Sequence, residues 1–171
     1  MKIQVPLVNG LLAGEYGSFA PEEDRINGKP AKSFPIKISD VPAGTKTFAI
    51  FMNDFDSVPV CGFAWIHWLA ANIPGDVREI PADASRKEPF EMVQGSNSNR
   101  SKFLPLNSGS PVGYTGPQPP SGVHKYTLRV YALDSKLDLP HAYWLNEFLY
   151  KSKGHILEEA VIDLPFSATQ G

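Results

Sequence analysis

Five side chains in this sequence bring functional groups suited to chemistry: Asp54 and Asp56, His67, and His124 with Tyr126. Imidazole nitrogens and a phenol can donate hydrogen bonds to phosphate oxygens, and a pair of carboxylates can hold a cationic amine. The same groups admit other chemistry. Two histidines and two carboxylates could hold a divalent metal with open positions, or His67 could act as a general base beside a serine. The spacing singles out neither. No His-x-x-x-His pair occurs, no Gly-x-Ser-x-Gly elbow presents a nucleophile, and Ser57, Ser96 and Ser98 have no distinctive setting. Each group also has a plain structural reading, the aspartates as a solvated turn and the histidines as packed core residues.

The elements that must position these groups are strands and one loop. From Val123 to Leu133 the side chains alternate, with His124, Tyr126, Leu128 and Val130 forming the apolar set, so His124 and Tyr126 point inward at the loop end of that strand. The stretch 113–122 precedes it. Gly113, Gly116 and Gly122, with Pro117, Pro119 and Pro120, exclude a helix or a central strand and predict a rigid loop whose backbone can approach a ligand closely. Residues 47–52 (TFAIFM) read as a buried strand. Asp54 and Asp56 come just past its end, on one side and roughly 6 to 7 Å apart in extended chain. Like charges that close raise each other's proton affinity unless a cation, a donor or solvent offsets them. Residues 62–72 predict a strand covered on both faces, with Phe63, Trp65, His67 and Leu69 on one side and Ala64, Ile66, Trp68 and Ala70 on the other.

The rest of the chain supplies the frame. Residues 1–35 predict short strands and turns, and 77–94 a long polar surface connection. Residues 141–153 place Trp144, Leu145, Phe148 and Leu149 at helical spacing before Gly154, which predicts a helix with a glycine stop. A short helix over 154–160 then leads into a last strand over 161–166. At 171 residues, 42% hydrophobic and 20% charged, the sequence predicts one domain spanning 1–171 with a full core. A formal net charge of −2 and the lack of any dense Lys/Arg run argue against a nucleic-acid surface. No run reaches the roughly 20 apolar residues that cross a bilayer, and the amino terminus lacks the apolar core of a secretion signal; the expected location is cytoplasmic. Cys61 is the only cysteine, which excludes an internal disulfide and reads as a buried, inert thiol.

Three segments taken together resemble the phosphatidylethanolamine-binding protein family in its bacterial and archaeal, Raf-kinase-inhibitor-like branch. They are Asp54-Phe55-Asp56-Ser57-Val58, then His67-Trp68, then Gly116-Pro117-Gln118-Pro119-Pro120-Ser121-Gly122-Val123-His124-Lys125-Tyr126, in the family's order and approximate spacing. The resemblance covers most of 36–166. It implies a mainly β fold, a large central antiparallel sheet plus a smaller one with C-terminal helices, and an anion-accepting pocket at one end of the larger sheet. By the motif match that pocket is lined by Asp54, Asp56, His67, Pro119, His124 and Tyr126, with no catalytic residue, metal or cofactor. The implied ligand is small and phosphate-bearing or zwitterionic, such as phosphoethanolamine. The resemblance also implies a regulatory role, a regulatory protein partner and a homodimer. A hydrolase using the same pocket, metal-dependent or His/Asp-based, and a kinase- or protease-inhibiting interaction module are the rival expectations. The sequence departs from the family pattern at Phe55 and Val58, which replace prolines, at Gln118 in place of cysteine, and at Lys125 in place of arginine. A longer approach over 99–112 is expected to cover or reshape the pocket rim.

Overall fold

The computed structural model describes residues 1–105 and 107–169. In chain order its strands are β1 (Lys2–Gln4), β2 (Leu7–Val8), β3 (Leu11–Leu12), β4 (Arg25–Ile26), β5 (Lys29–Pro30), β6 (Ile36–Ser39), β7 (Thr47–Asp54), β8 (Trp65–Pro74), β9 (Glu79–Ile80), β10 (Val93–Gln94), β11 (Val123–Leu133) and β12 (Ile156–Ser167). The helices are α1 (Val58–Cys61), α2 (Ala84–Lys87) and α3 (Leu145–Ser152). The large sheet runs β10-β8-β7-β11-β12, the small one β1-β6-β9, and all pairings within them are antiparallel. The protein is thus mainly β, as the sequence predicts.

Both faces of the large sheet are covered, which is why β7 reads as an almost unbroken apolar run. Against one face pack Ile3, Leu12, Phe34, Ile36, Ile38 and Ile80, joining Phe48, Ile50, Met52, Trp68, Leu128 and Val130. Against the other pack Leu137, Leu139, Tyr143 and Phe148, joining Ala49, Leu69, Tyr131 and Leu133. Of the stripe at helical spacing only Phe148 is fully core, against Tyr131 at 5.3 Å between ring centroids, whereas Trp144 and Leu149 are exposed.

Three local expectations change. The helix predicted over 141–153 starts only at Leu145, where the Trp144 amide donates to Glu147 Oε2 at 2.7 Å and so fixes the first turn. The short helix predicted over 154–160 is strand instead. Gly154, at φ +84°, turns the chain, and β12 then pairs with β11 from Ile156↔Leu133 to Ser167↔Val123, so a sheet ladder overrides the helix-forming Leu-Glu-Glu-Ala run. The polar stretch 77–94, read as surface connection, contains β9 and β10, an edge strand for each sheet.

Candidate functional site

A cleft of about 160 Å³ opens where β7, β8 and β11 end and the 113–122 loop crosses them. Drug-sized ligand pockets run from roughly 300 Å³ upward, so this one suits something closer to a headgroup or an inorganic anion. Residue by residue, a local irregularity in β8 does much of the positioning. Met52 pairs with Trp68, and Asn53 with Ile66, which leaves His67 as the extra residue of a β-bulge. The bulge breaks the two-residue alternation. Ile66 packs with Leu69 toward α3, while His67 turns to the face of Trp68 and meets Tyr126 edge-on at 5.0 Å between ring centroids. The simple alternation expected over 62–72, which groups His67 with Leu69 and opposite Trp68, is corrected by this bulge.

His67 is buried, with 6% of its surface exposed, and its Nδ1 lies 2.7 Å from the Thr115 carbonyl oxygen. A carbonyl only accepts, so Nδ1 carries the proton. Burial pushes the imidazole down to about 4, against smaller upward pulls from the Thr115 carbonyl and the Asp54 carboxylate. His124 Nδ1 lies 2.8 Å from Asp54 Oδ2, and the other Asp54 oxygen accepts from the Ser57 amide at 3.2 Å. Each Asp54 oxygen thus has one partner, one orienting His124 and the other holding the turn into α1. With its Nδ1–H held there, a protonated His124 presents Nε2–H to the cleft and a neutral one a lone pair. Tyr126 follows on the same face of β11, and burial, reinforced by the Asp54 charge, raises its phenol, which stays a neutral donor.

Lys29 completes the polar lining from β5. Its ammonium lies 5.2 Å from the centroid of the Trp65 ring and 3.2 Å from Asn99 Oδ1, and burial lowers its pKa. Asn99 in turn donates to the Ser110 carbonyl at 3.1 Å. Among the described residues of the 99–112 stretch none lines the cleft, so that stretch does not cover the rim as expected. It acts at one remove, by holding Lys29; Leu106, which also belongs to it, lies outside the described residues.

Of the six residues expected at the pocket, Asp54, His67, Pro119, His124 and Tyr126 line the cleft and Asp56 does not. Asp56 is exposed, and its carboxylate accepts from the Lys125 amide at 2.8 Å. The reason is geometric. β7 continues to Asp54, and the chain then turns into α1, so the two aspartates no longer share the side that an extended chain would give them. Lys29, Trp65 and Thr115 line the cleft without having been singled out. Lys29 sits in the part of the chain with the weakest periodicity, and no local sequence signal marks it. Cys61, expected to be buried, is exposed at the cleft because α1 carries it to the rim, where its thiol donates to the Ser57 carbonyl at 3.3 Å. Among the described residues no three His, Cys, Asp or Glu side chains come together in a way that could hold a metal ion.

The family model described as phosphatidylethanolamine-binding protein matches residues 6–167. The chain belongs to this family. Within the phosphatidylethanolamine-binding protein family, the chain is 45% identical over 157 residues to the uncharacterized protein YxkA of Bacillus subtilis, covering 91% of this chain and 94% of that one. It is 39% identical over 129 residues to a UPF0098 protein of Methanothermobacter thermautotrophicus, 74% of this chain and 76% of the relative. Two crystal structures share its fold. A putative homologue, CT736 from Chlamydia trachomatis, superposes with a TM-score of 0.77 at 24% identity over 97% of this chain and 96% of the other. Escherichia coli YbcL, described as a new member of the mammalian PEBP family, gives 0.70 at 26% over 98% of each. The departures from the family pattern now have places. Phe55 and Val58 are exposed, with Val58 opening α1; Gln118 is exposed at the cleft, and Lys125 is exposed on β11.

No helix among the described residues is long and apolar enough to cross a membrane.

Proposed function

We propose that the protein binds a small phosphate-bearing anion in the cleft between β8, β11 and the 113–122 loop, and that occupancy rather than turnover is its output. One observation carries this reading: Lys29, Tyr126 and two histidines, His67 and His124, all line a single headgroup-sized cavity. Its one carboxylate is already engaged. With each Asp54 oxygen already holding a partner, His124 or Ser57, and Asp56 outside, no second carboxylate among the described residues lines the cleft, so the arrangement favours the anionic half of a zwitterionic ligand. The Ser57 hydroxyl and the Cys61 thiol at the cleft are also committed. Ser57 Oγ donates to the Asp54 or Phe63 carbonyl, at 2.7 and 2.9 Å, and accepts from the Trp65 amide at 3.0 Å.

A titration of phosphoethanolamine and of inorganic phosphate, followed through the imidazole NMR signals of His67 and His124, tests this. Saturable shifts at both rings, lost in His124→Ala, are expected. Unmoved signals at about 1 mM ligand, where a free energy of about −4 kcal/mol already shows, would sink the proposal.

The Asp54–His124 pair favours one second reading, because a carboxylate-oriented imidazole is also the arrangement of a general base acting on water. Turnover of phosphate or carboxylate esters that disappears in His124→Ala would establish it in place of simple binding.

A further inference from the structure

We infer that the cleft takes up its phosphate group with a proton still on it, and so selects phosphate monoesters over phosphodiesters. The inference rests on the anion-binding reading and concerns the chemical form of the ligand. It starts from one hydrogen bond. The Thr115 carbonyl fixes the His67 proton on Nδ1 at 2.7 Å. The neutral ring therefore offers a lone pair at Nε2, which has no partner among the described residues and belongs to a side chain lining the cleft. A ligand satisfies that lone pair only by donating. A phosphate monoester in its monoanionic form has one P–OH for His67 and two further oxygens, sharing its single charge, for Lys29, Tyr126 and His124. A phosphodiester, the form of phosphate in an intact phospholipid headgroup, has no P–OH.

A diester must either leave His67 Nε2 unsatisfied or bring a proton onto the ring, and the surroundings resist the second course. The charged and titratable groups around His67 are Lys29 from β5, Asp54 from β7, and His124 and Tyr126 from β11. Lys29 and His124 oppose a positive charge there, Asp54 and the Thr115 carbonyl favour it, and burial outweighs them all, holding the ring near 4. The second ionisation of a phosphate monoester lies near 6. At pH 7 the proton therefore resides about 100-fold more readily on a monoester than on His67. Leaving the lone pair bare weakens binding about 5- to 150-fold, and loading a monoester with its proton at pH 7 costs about tenfold, so the expected preference for the monoester is up to about tenfold.

Calorimetry on wild-type protein with phosphoethanolamine and its O-methyl diester, at pH 7 and pH 8 in two buffers of different ionisation heat, tests the inference. The comparison cancels any proton taken up by His124 with both ligands. The expected results are the monoester preference at pH 7 and uptake of about one more proton with the monoester than with the diester at pH 8. In His67→Gln, whose amide can turn to donate or accept, the preference should shrink to within about threefold. Equal uptake with both ligands, equal affinities, or a preference that survives in a folded His67→Gln would overturn it, and in the last case the cleft discriminates by size. If neither ligand binds, the anion-binding reading falls along with this one; if both bind alike, only this one does.

Discussion

At the scale of single residues, the two histidines are set for different tasks by what their Nδ1 atoms touch. His67 faces a carbonyl and is held neutral by burial, whereas His124 faces a carboxylate. The depressed His67 pKa has a consequence for stability. Its folded value of about 4 lies below the ordinary 6.5, so between those values the unfolded chain binds more protons than the native one and stability falls as pH falls. The contribution is complete above about pH 6.5 and lost below about pH 4, of the order of 3 kcal/mol across the window. Urea melts at pH 7 and pH 4.5 should show most of that loss in the wild type and clearly less in His67→Gln; equal losses would place the acid sensitivity elsewhere. Asp54 bears on ligand affinity. Replacing it in Asp54→Asn removes the charge that orients His124 while keeping the side-chain shape, and a bond of that kind contributes about 1.5–3 kcal/mol. Phosphate affinity measured by calorimetry should fall at least tenfold, with an unchanged affinity counting against Asp54 as the group that positions His124.

Among the elements, the strand Val123–Leu133 and the loop before it were legible from the sequence because nothing interrupts their patterns. The alternation of His124, Tyr126, Leu128 and Val130 is the alternation of the buried face. β8 was legible as a strand but not in its facing, since a bulge is set by pairing with β7 and leaves no trace in the hydrophobic pattern. Asp56 was misplaced for a related reason: the period of an extended chain cannot show that the chain turns into α1 one residue earlier. The loop itself makes a sharper demand than its composition suggests. A Cβ on Gly116 would lie 2.3 Å from the Tyr16 carbonyl oxygen and 2.7 Å from Pro30 Cβ, while the Gly116 amide donates to the Pro30 carbonyl at 2.9 Å. Backbone, not a flexible side chain, is in the way. Gly116→Ala is therefore expected to cost about 1–3 kcal/mol of stability as an overpacking change and to weaken phosphate binding by shifting the loop off Lys29 and Tyr126. Denaturation together with calorimetry checks both, and a substitution neutral in each would mean that the loop can slide without consequence.

Over the whole molecule, the cleft is assembled from distant parts of the chain. Lys29 comes from β5, Asp54 from β7, Trp65 and His67 from β8, Thr115 and Pro119 from the loop, and His124 and Tyr126 from β11. The amino-terminal region, the least legible part of the sequence, is built into it: the Tyr16 carbonyl accepts from the Tyr114 hydroxyl at 2.7 Å, and Tyr114 precedes the residue that fixes His67. A site of this kind exists only in the native state, because no short segment keeps its donors together once the chain unfolds. Ligand binding must then draw the whole folding equilibrium by mass action, adding about 2.7 kcal/mol at a free ligand concentration 100 times the dissociation constant. For a chain of this size each kcal/mol corresponds to roughly 2–4 °C. Saturating phosphate or phosphoethanolamine should raise the Tm by about 5–10 °C in the wild type and by much less in His124→Ala. Phe148→Ala supplies the contrast. It opens a cavity on the opposite face of the sheet, between α3 and Tyr131, and lowers the starting stability by about 3–5 kcal/mol, yet it leaves the ligand-induced rise in place because no residue of the cleft packs there. A rise that vanished in Phe148→Ala while the variant remained folded would show that the two faces of the sheet are coupled, and that the cleft depends on the α3 core for its shape.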